Sequence, residues 1–193
     1  MRSSFLVLSC LSTLALVAEG QDDLRRPIRR EPRAYFVISD GLGIGSGGAL
    51  GSSTGLAQMM RAGAAVRLAG SHGLDVSAVR VQMVVPANTR FTDPDFNDPS
   101  GDALILSYGT FGQRRGGGFP SVFTIGGGVM RRRIGDLSAR RDFWAVRAGY
   151  DAESLIAPTR WMDVNASFHL LVTPGREQSK MYVAAFSLGI RIG

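Results

Sequence analysis

From Ala34 to Gly193, apolar and polar positions alternate in segments separated by glycine-, proline- or aspartate-rich breaks. Met181–Gly193 is the cleanest. Tyr182, Ala184, Phe186, Leu188, Ile190 and Ile192 share one face, while Met181, Val183, Ala185, Ser187, Gly189, Arg191 and Gly193 share the other. A strand sends successive side chains to opposite sides, so this segment has one greasy face and one small, polar or charged face. Arg160–Val172 sets Met162, Val164, Ala166, Phe168, Leu170 and Val172 against Trp161, Asp163, Asn165, Ser167 and His169. Arg141–Ala152 sets Trp144, Val146, Ala148 and Tyr150 against Ala145, Arg147, Gly149 and Asp151, and Gln58–Ala69 sets Met60–Leu68 against Arg61–Ala69 in the same manner.

Four further strands are less regular. In Ala34–Gly45 the phase is blurred by Asp40 and by glycines, and a loop is expected over Ser46–Ala57. Leu74–Val85 follows a tight turn at Gly70–Gly73 and changes phase midway, which a one-residue bulge near Ala78 would reconcile. Asp102–Gly112 and Ser121–Met130 are joined by a glycine-rich turn, Gln113–Pro120. The remaining connections are the acidic loop Pro86–Gly101, the basic loop Arg131–Arg140, the turn Glu153–Thr159 and the loop Thr173–Ser179.

The pattern predicts an all-β fold: an eight-stranded antiparallel up-and-down transmembrane β-barrel over residues 34–193. Each segment is near the roughly 9–11 residues a tilted strand needs to cross a bilayer. A soluble sandwich or lipocalin-like barrel also alternates, but its wet face is usually rich in Lys, Glu, Thr and Ser. Here the second face is mostly Gly and Ala with isolated charges, which suits the inside of a narrow barrel. Hydrocarbon forbids unsatisfied backbone groups, so a strand-built span must close.

Composition alters this picture in three ways. Residues 1–20 read as a cleaved secretory signal, with Arg2, the apolar run Phe5–Val17 and Ala18-Glu19-Gly20 before Gln21. A retained anchor is the competing reading, but the run is short for a spanning helix. Residues 21–33, with Arg25, Arg26, Arg29, Arg30 and Arg33, read as a basic flexible tail. The only cysteine, Cys10, lies within the leader, so the exported chain is expected to carry no disulfide or cysteine-held metal. The net charge of +6 could suggest nucleic acid, yet the 22 Lys+Arg, all arginine except Lys180, are scattered rather than gathered in a stripe. No nucleic-acid partner is expected.

Residues 34–193 resemble the small eight-stranded outer-membrane barrels, the OmpA transmembrane domain and the OmpX group, through Met60–Leu68, Trp144–Tyr150, Met162–Val172 and Tyr182–Ile192. The resemblance implies residence in the bacterial outer membrane, outer-membrane lipids and lipopolysaccharide as surroundings, the barrel assembly machinery as a partner, and a monomer without cofactor. Such barrels usually finish on an aromatic residue, whereas this chain ends Arg191-Ile192-Gly193, with Phe186 the nearest aromatic upstream.

The candidate residues follow from the phases. A polar network inside the barrel is expected from Arg61, Arg67, Asp75, Arg80, Arg147, Asp151, Asp163, Asn165, His169 and Arg191, because a buried arginine requires carboxylate partners. This network would plug and rigidify the interior; a narrow channel is its rival. Interfacial aromatics are expected at Tyr35, Tyr150 and Trp161 near the inner rim and at Trp144 and Tyr182 near the outer one. Arg131, Arg132, Arg133, Arg140 and Arg141 would meet lipopolysaccharide phosphates, which suit arginine's planar fork.

Ser167-Phe168-His169 raises a lipid A-modifying hydrolase as an alternative. Small outer-membrane deacylases carry the histidine two residues before the serine, the reverse of this order, and a Ser–His pair still needs an orienting acid. No catalytic residue is assigned. The acidic loop lacks EF-hand order, with Asp98 where a glycine is required, so no metal site is assigned either. The expected role is structural or surface-interacting.

Overall fold

Eight strands form where the alternation runs: β1 Ala34–Gly47, β2 Thr54–Ala69, β3 His72–Val84, β4 Gly101–Phe111, β5 Val122–Arg133, β6 Arg140–Asp151, β7 Met162–Thr173 and β8 Met181–Ile192. The computed structural model describes residues 33–47, 54–84, 101–112, 119–133, 140–156, 161–174 and 180–193. The expected leader, nearly all of the basic tail and most of the acidic loop lie outside the described residues.

Consecutive strands pair antiparallel and β8 pairs with β1, so the sheet is a closed barrel. Its stagger can be read by following cross-strand partners once around. Phe36 leads through Ala64, Val76, Leu106, Gly127, Val146, Val172 and Tyr182 back to β1 at Ser46, ten residues farther on. With strand spacing near 4.8 Å and rise near 3.3 Å, that stagger tilts the strands by about 40°.

The greasy faces point outward. Phe36 (67%), Leu42 (71%), Trp144 (74%) and Phe186 (73%) head a set of exposed large apolar side chains found on every strand. Water would penalise this surface at roughly 25 cal/mol per Å², whereas hydrocarbon does not. The exterior is therefore built for lipid, and the soluble-barrel reading is excluded by the same side chains it would need inside.

Three expectations are corrected. No bulge exists at Ala78: Arg61↔Val79, Ala62↔Ala78 and Gly63↔Ser77 pair without interruption. The register shifts instead between Arg67 and Ala69, beside the turn where Gly70 takes a φ of +54° that a side chain would strain. The loop expected over Ser46–Ala57 is shorter, since β1 runs to Gly47 and β2 begins at Thr54. The basic loop expected over Arg131–Arg140 is shortened at both ends, with Arg131, Arg132 and Arg133 ending β5 and Arg140 opening β6; residues 134–139 lie outside the described residues.

Candidate functional site: the barrel interior and its outer rim

The inward positions of β2, β3, β6, β7 and β8 bring Arg61, Asp75, Arg147, Asp151, Asp163, Asn165, His169 and Arg191 inside, none more than 3% exposed. Local alternation alone puts them there; which partner each finds is decided by the register.

Two ionic groups result. In the first, Arg61 bridges Asp75 at 2.6 Å and Asp151 at 3.0 Å, and Arg147 reaches Asp75 at 2.5 Å. Arg147 also donates to Ser77 Oγ at 2.9 Å and Ser107 Oγ at 3.3 Å, and Ser77 Oγ donates to Asp75 at 2.5 Å. His169 Nε2 lies 3.5 Å from Asp151 Oδ1. In the second group, Arg191 grips Asp163 through Nε at 3.0 Å and Nη2 at 2.8 Å, and donates to the Pro120 carbonyl at 2.9 Å. The Ser154 hydroxyl also donates to Asp163. Such forked guanidinium–carboxylate contacts are stronger than neutral hydrogen bonds and fix orientation.

Apolar side chains enclose both groups. At the end where β1 starts and β8 finishes, Tyr35, Val37, Ala65, Phe111, Phe119 and Val122 form one buried cluster, with Arg191 lying over the rings of Tyr35 and Phe119 at 5.9 and 5.3 Å. Toward the opposite end, the second cluster includes Met59, Val81, Ile105, Met130, Leu171 and Val183. Three arginines, Arg61, Arg147 and Arg191, thus face three aspartates, Asp75, Asp151 and Asp163, and charge balances among side chains at most 3% exposed. Isolated, each such charge would cost several kcal/mol to bury.

Several expected site residues sit elsewhere. Arg80 is not in the network: it points outward, 3.7 Å from Asp102, because β3 keeps one phase throughout and sends Val79, Val81 and Met83 inside. Arg67 is half-exposed at the turn, where its Nε donates to the Gly70 carbonyl at 2.5 Å and its guanidinium lies over Phe111. Tyr35 is no interfacial aromatic but a buried core residue, 3% exposed, packed edge-on against Phe111 and Phe119. Trp144, Tyr150, Trp161 and Tyr182 are all outward or exposed. Tyr108 joins them, hydrogen-bonded to His72 and exposed on the same face of β4 as Leu104 and Leu106.

At the outer rim, Arg131 pairs with Asp142 at 2.8 Å on the outside. Arg132 turns inward, 4% exposed, over the Phe143 ring at 5.2 Å. Arg141, across from Arg132, is exposed, and the backbones of Arg133 and Arg140 pair beside them. Ser167 and His169 both face the interior, yet Ser167 Oγ makes no hydrogen bond to either ring nitrogen. Among the described residues, no three His, Cys, Asp or Glu side chains converge as metal ligands would.

No protein-family model matches this sequence, and no curated protein matches it. Its fold does match solved structures. The neisserial surface protein NspA aligns with a TM-score of 0.58 and 15% identity, over 82% of this chain and 97% of that one. The N-terminal β-barrel domain of Pseudomonas aeruginosa OprF aligns with a TM-score of 0.50 and 9% identity, over 84% and 100%. The chain has the fold of the small eight-stranded outer-membrane barrels.

Proposed function

We propose that this chain resides in a bacterial outer membrane, where it serves a structural or surface-interacting role rather than transport or catalysis. The observation that carries the reading is the balanced set of three arginines and three aspartates, none more than 3% exposed and packed among two apolar clusters, inside an exterior built for lipid. An eight-stranded barrel leaves an interior only wide enough for side chains, and charges locked in pairs hold that interior rigid. The side chains do work at both surfaces. Apolar positions hold the barrel in lipid, while the outer rim, where Arg131 and Arg141 are exposed at the ends of β5 and β6, offers guanidinium groups to lipopolysaccharide phosphates.

Two measurements test this. Planar-bilayer recordings of the purified protein are expected to show no unitary conductance; reproducible steps would refute the plugged interior. Retention of lipopolysaccharide on the immobilised protein is expected to fall at least threefold in an Arg131→Gln, Arg141→Gln double variant. Equal retention would remove the rim from the account.

A further inference from the structure

The lipid-facing surface is not uniform around the ring. On β7 and β8 the outward positions are apolar or alanine, from Val164 to Val172 and from Tyr182 to Ile192. On β1 to β4 the outer half instead presents Asp40, Gln58, Arg80, Gln82 and Asp102. Gln58 Nε2 donates to both carboxylate oxygens of Asp40 at 3.0 Å, but an amide is neutral and leaves that charge unbalanced. From the strand tilt, Asp40 stands about 10 Å and Arg80 about 16 Å above Phe36 along the barrel axis, within an apolar band about 25 Å tall. An ionisable side chain facing lipid at such depth is costly and points to a specific partner. Beside these residues lies a groove of about 340 Å³ lined by Ile38, Met60, Ala62 and Ala78 along with Asp40 and Arg80.

We propose that a second copy of this chain docks on this face, about a two-fold axis that runs along the membrane normal through Met60. β1 and β3 flank β2, so the axis sets β3 of each copy against β1 of the other. Met60 lies directly between Asp40 and Arg80 in the ladder. Arg80 of the second copy then lies opposite Gln58 and about 6 Å above Asp40, within reach of an arginine side chain. The same contact forms reciprocally, as a two-fold interface requires. Each Asp40 also faces Ala62 of the other copy, where a methyl side chain allows close approach. Acyl chains offer Asp40 neither charge nor donor; a second copy offers both. This inference does not depend on the lipopolysaccharide contact.

The test uses the full chain in a Cys10→Ser background, reconstituted in phosphatidylethanolamine–phosphatidylglycerol vesicles. Met60→Cys, on the axis, is compared with Leu170→Cys, which faces lipid at similar height on β7. After oxidation, Met60→Cys is expected to give a disulfide dimer at least five times more abundant than Leu170→Cys. Adding Asp40→Asn or Arg80→Gln is expected to lower the Met60→Cys dimer at least threefold, and Asp40→Glu to preserve it. Heat-shifted gel migration establishes that each variant is folded. Equal cross-linking at the two cysteines, no dimer at Met60→Cys, or indifference to Asp40→Asn overturns the proposal. So does a folded Met60→Cys monomer that carries a tightly held lipid or another membrane protein on this face.

Discussion

Replacing Asp75 by asparagine keeps the side chain's shape, removes its charge and turns one of its two acceptor oxygens into a donor that faces donors. Asp75 accepts hydrogen bonds from Arg61 at 2.6 Å, Arg147 at 2.5 Å and Ser77 at 2.5 Å. Without its charge, Arg61 retains Asp151 at 3.0 Å, but Arg147 retains only hydroxyl acceptors. One guanidinium is then left buried without a carboxylate, a change that costs about 3–5 kcal/mol. At the midpoint of that range the folded-to-unfolded ratio falls by about a thousandfold. Reversible urea unfolding in lipid vesicles reads the loss, with Trp144 and Trp161 fluorescence as the signal. The matched comparison is Asp142→Asn, whose partner Arg131 is on the outside at the rim, at 2.8 Å and more than half exposed; little or no loss is expected there. A double variant, Asp75→Asn with Arg147→Met, should lose about 1–3 kcal/mol less than the sum of its single changes. If Asp75→Asn costs no more than Asp142→Asn, the balanced layer does not support the fold and the reasoning fails.

Other substitutions probe other parts of the barrel. Leu106→Arg places a charge on the lipid face about 9 Å above Phe36 and is expected to cost about 2–4 kcal/mol in the same urea assay. Gly149→Val would put a Cβ onto the His169 imidazole and 3.0 Å from Thr124 Oγ1, so overpacking of about 1–3 kcal/mol is expected. Ser167→Ala removes a hydroxyl that makes no hydrogen bond to protein. It should leave stability within about 1 kcal/mol and the acyl composition of lipid A unchanged on mass spectrometry. Loss of an acyl-release activity in that variant would revive the hydrolase.

Where one face was uniformly apolar, as in β2, β6, β7 and β8, the sequence disclosed both the strand and its direction. Arg61, Arg147 and Arg191 were legible as interior residues for that reason. The failures share one physical cause: the assumption that charge always faces inward. It invented a bulge at Ala78 to turn Arg80 inside, obscured the phase of β1 around Asp40, and ended β5 before Arg131. Outward charge is met in two places by a cross-strand partner, Arg80–Asp102 and Arg131–Asp142, whereas Asp40 has beside it only the neutral amide of Gln58. Such pairs depend on register, which no single segment displays. Tyr35 was misplaced for a related reason. Its aromatic ring suits a membrane interface, but Phe119, contributed by the β4–β5 connection, folds beneath the barrel and makes the inner end a core.

The contact between Arg61 and Asp151 joins β2 to β6, on opposite sides of an eight-membered ring. No hairpin and no half-rolled sheet contains it. Arg61–Asp75 and Arg191–Asp163 can form within single hairpins, but a partly assembled barrel leaves Asp151 and Arg147 without the cross-ring partners Arg61 and Asp75 that the closed ring supplies. Incomplete rings are disfavoured by their own middles, and closure should proceed as a single concerted event without a long-lived open form.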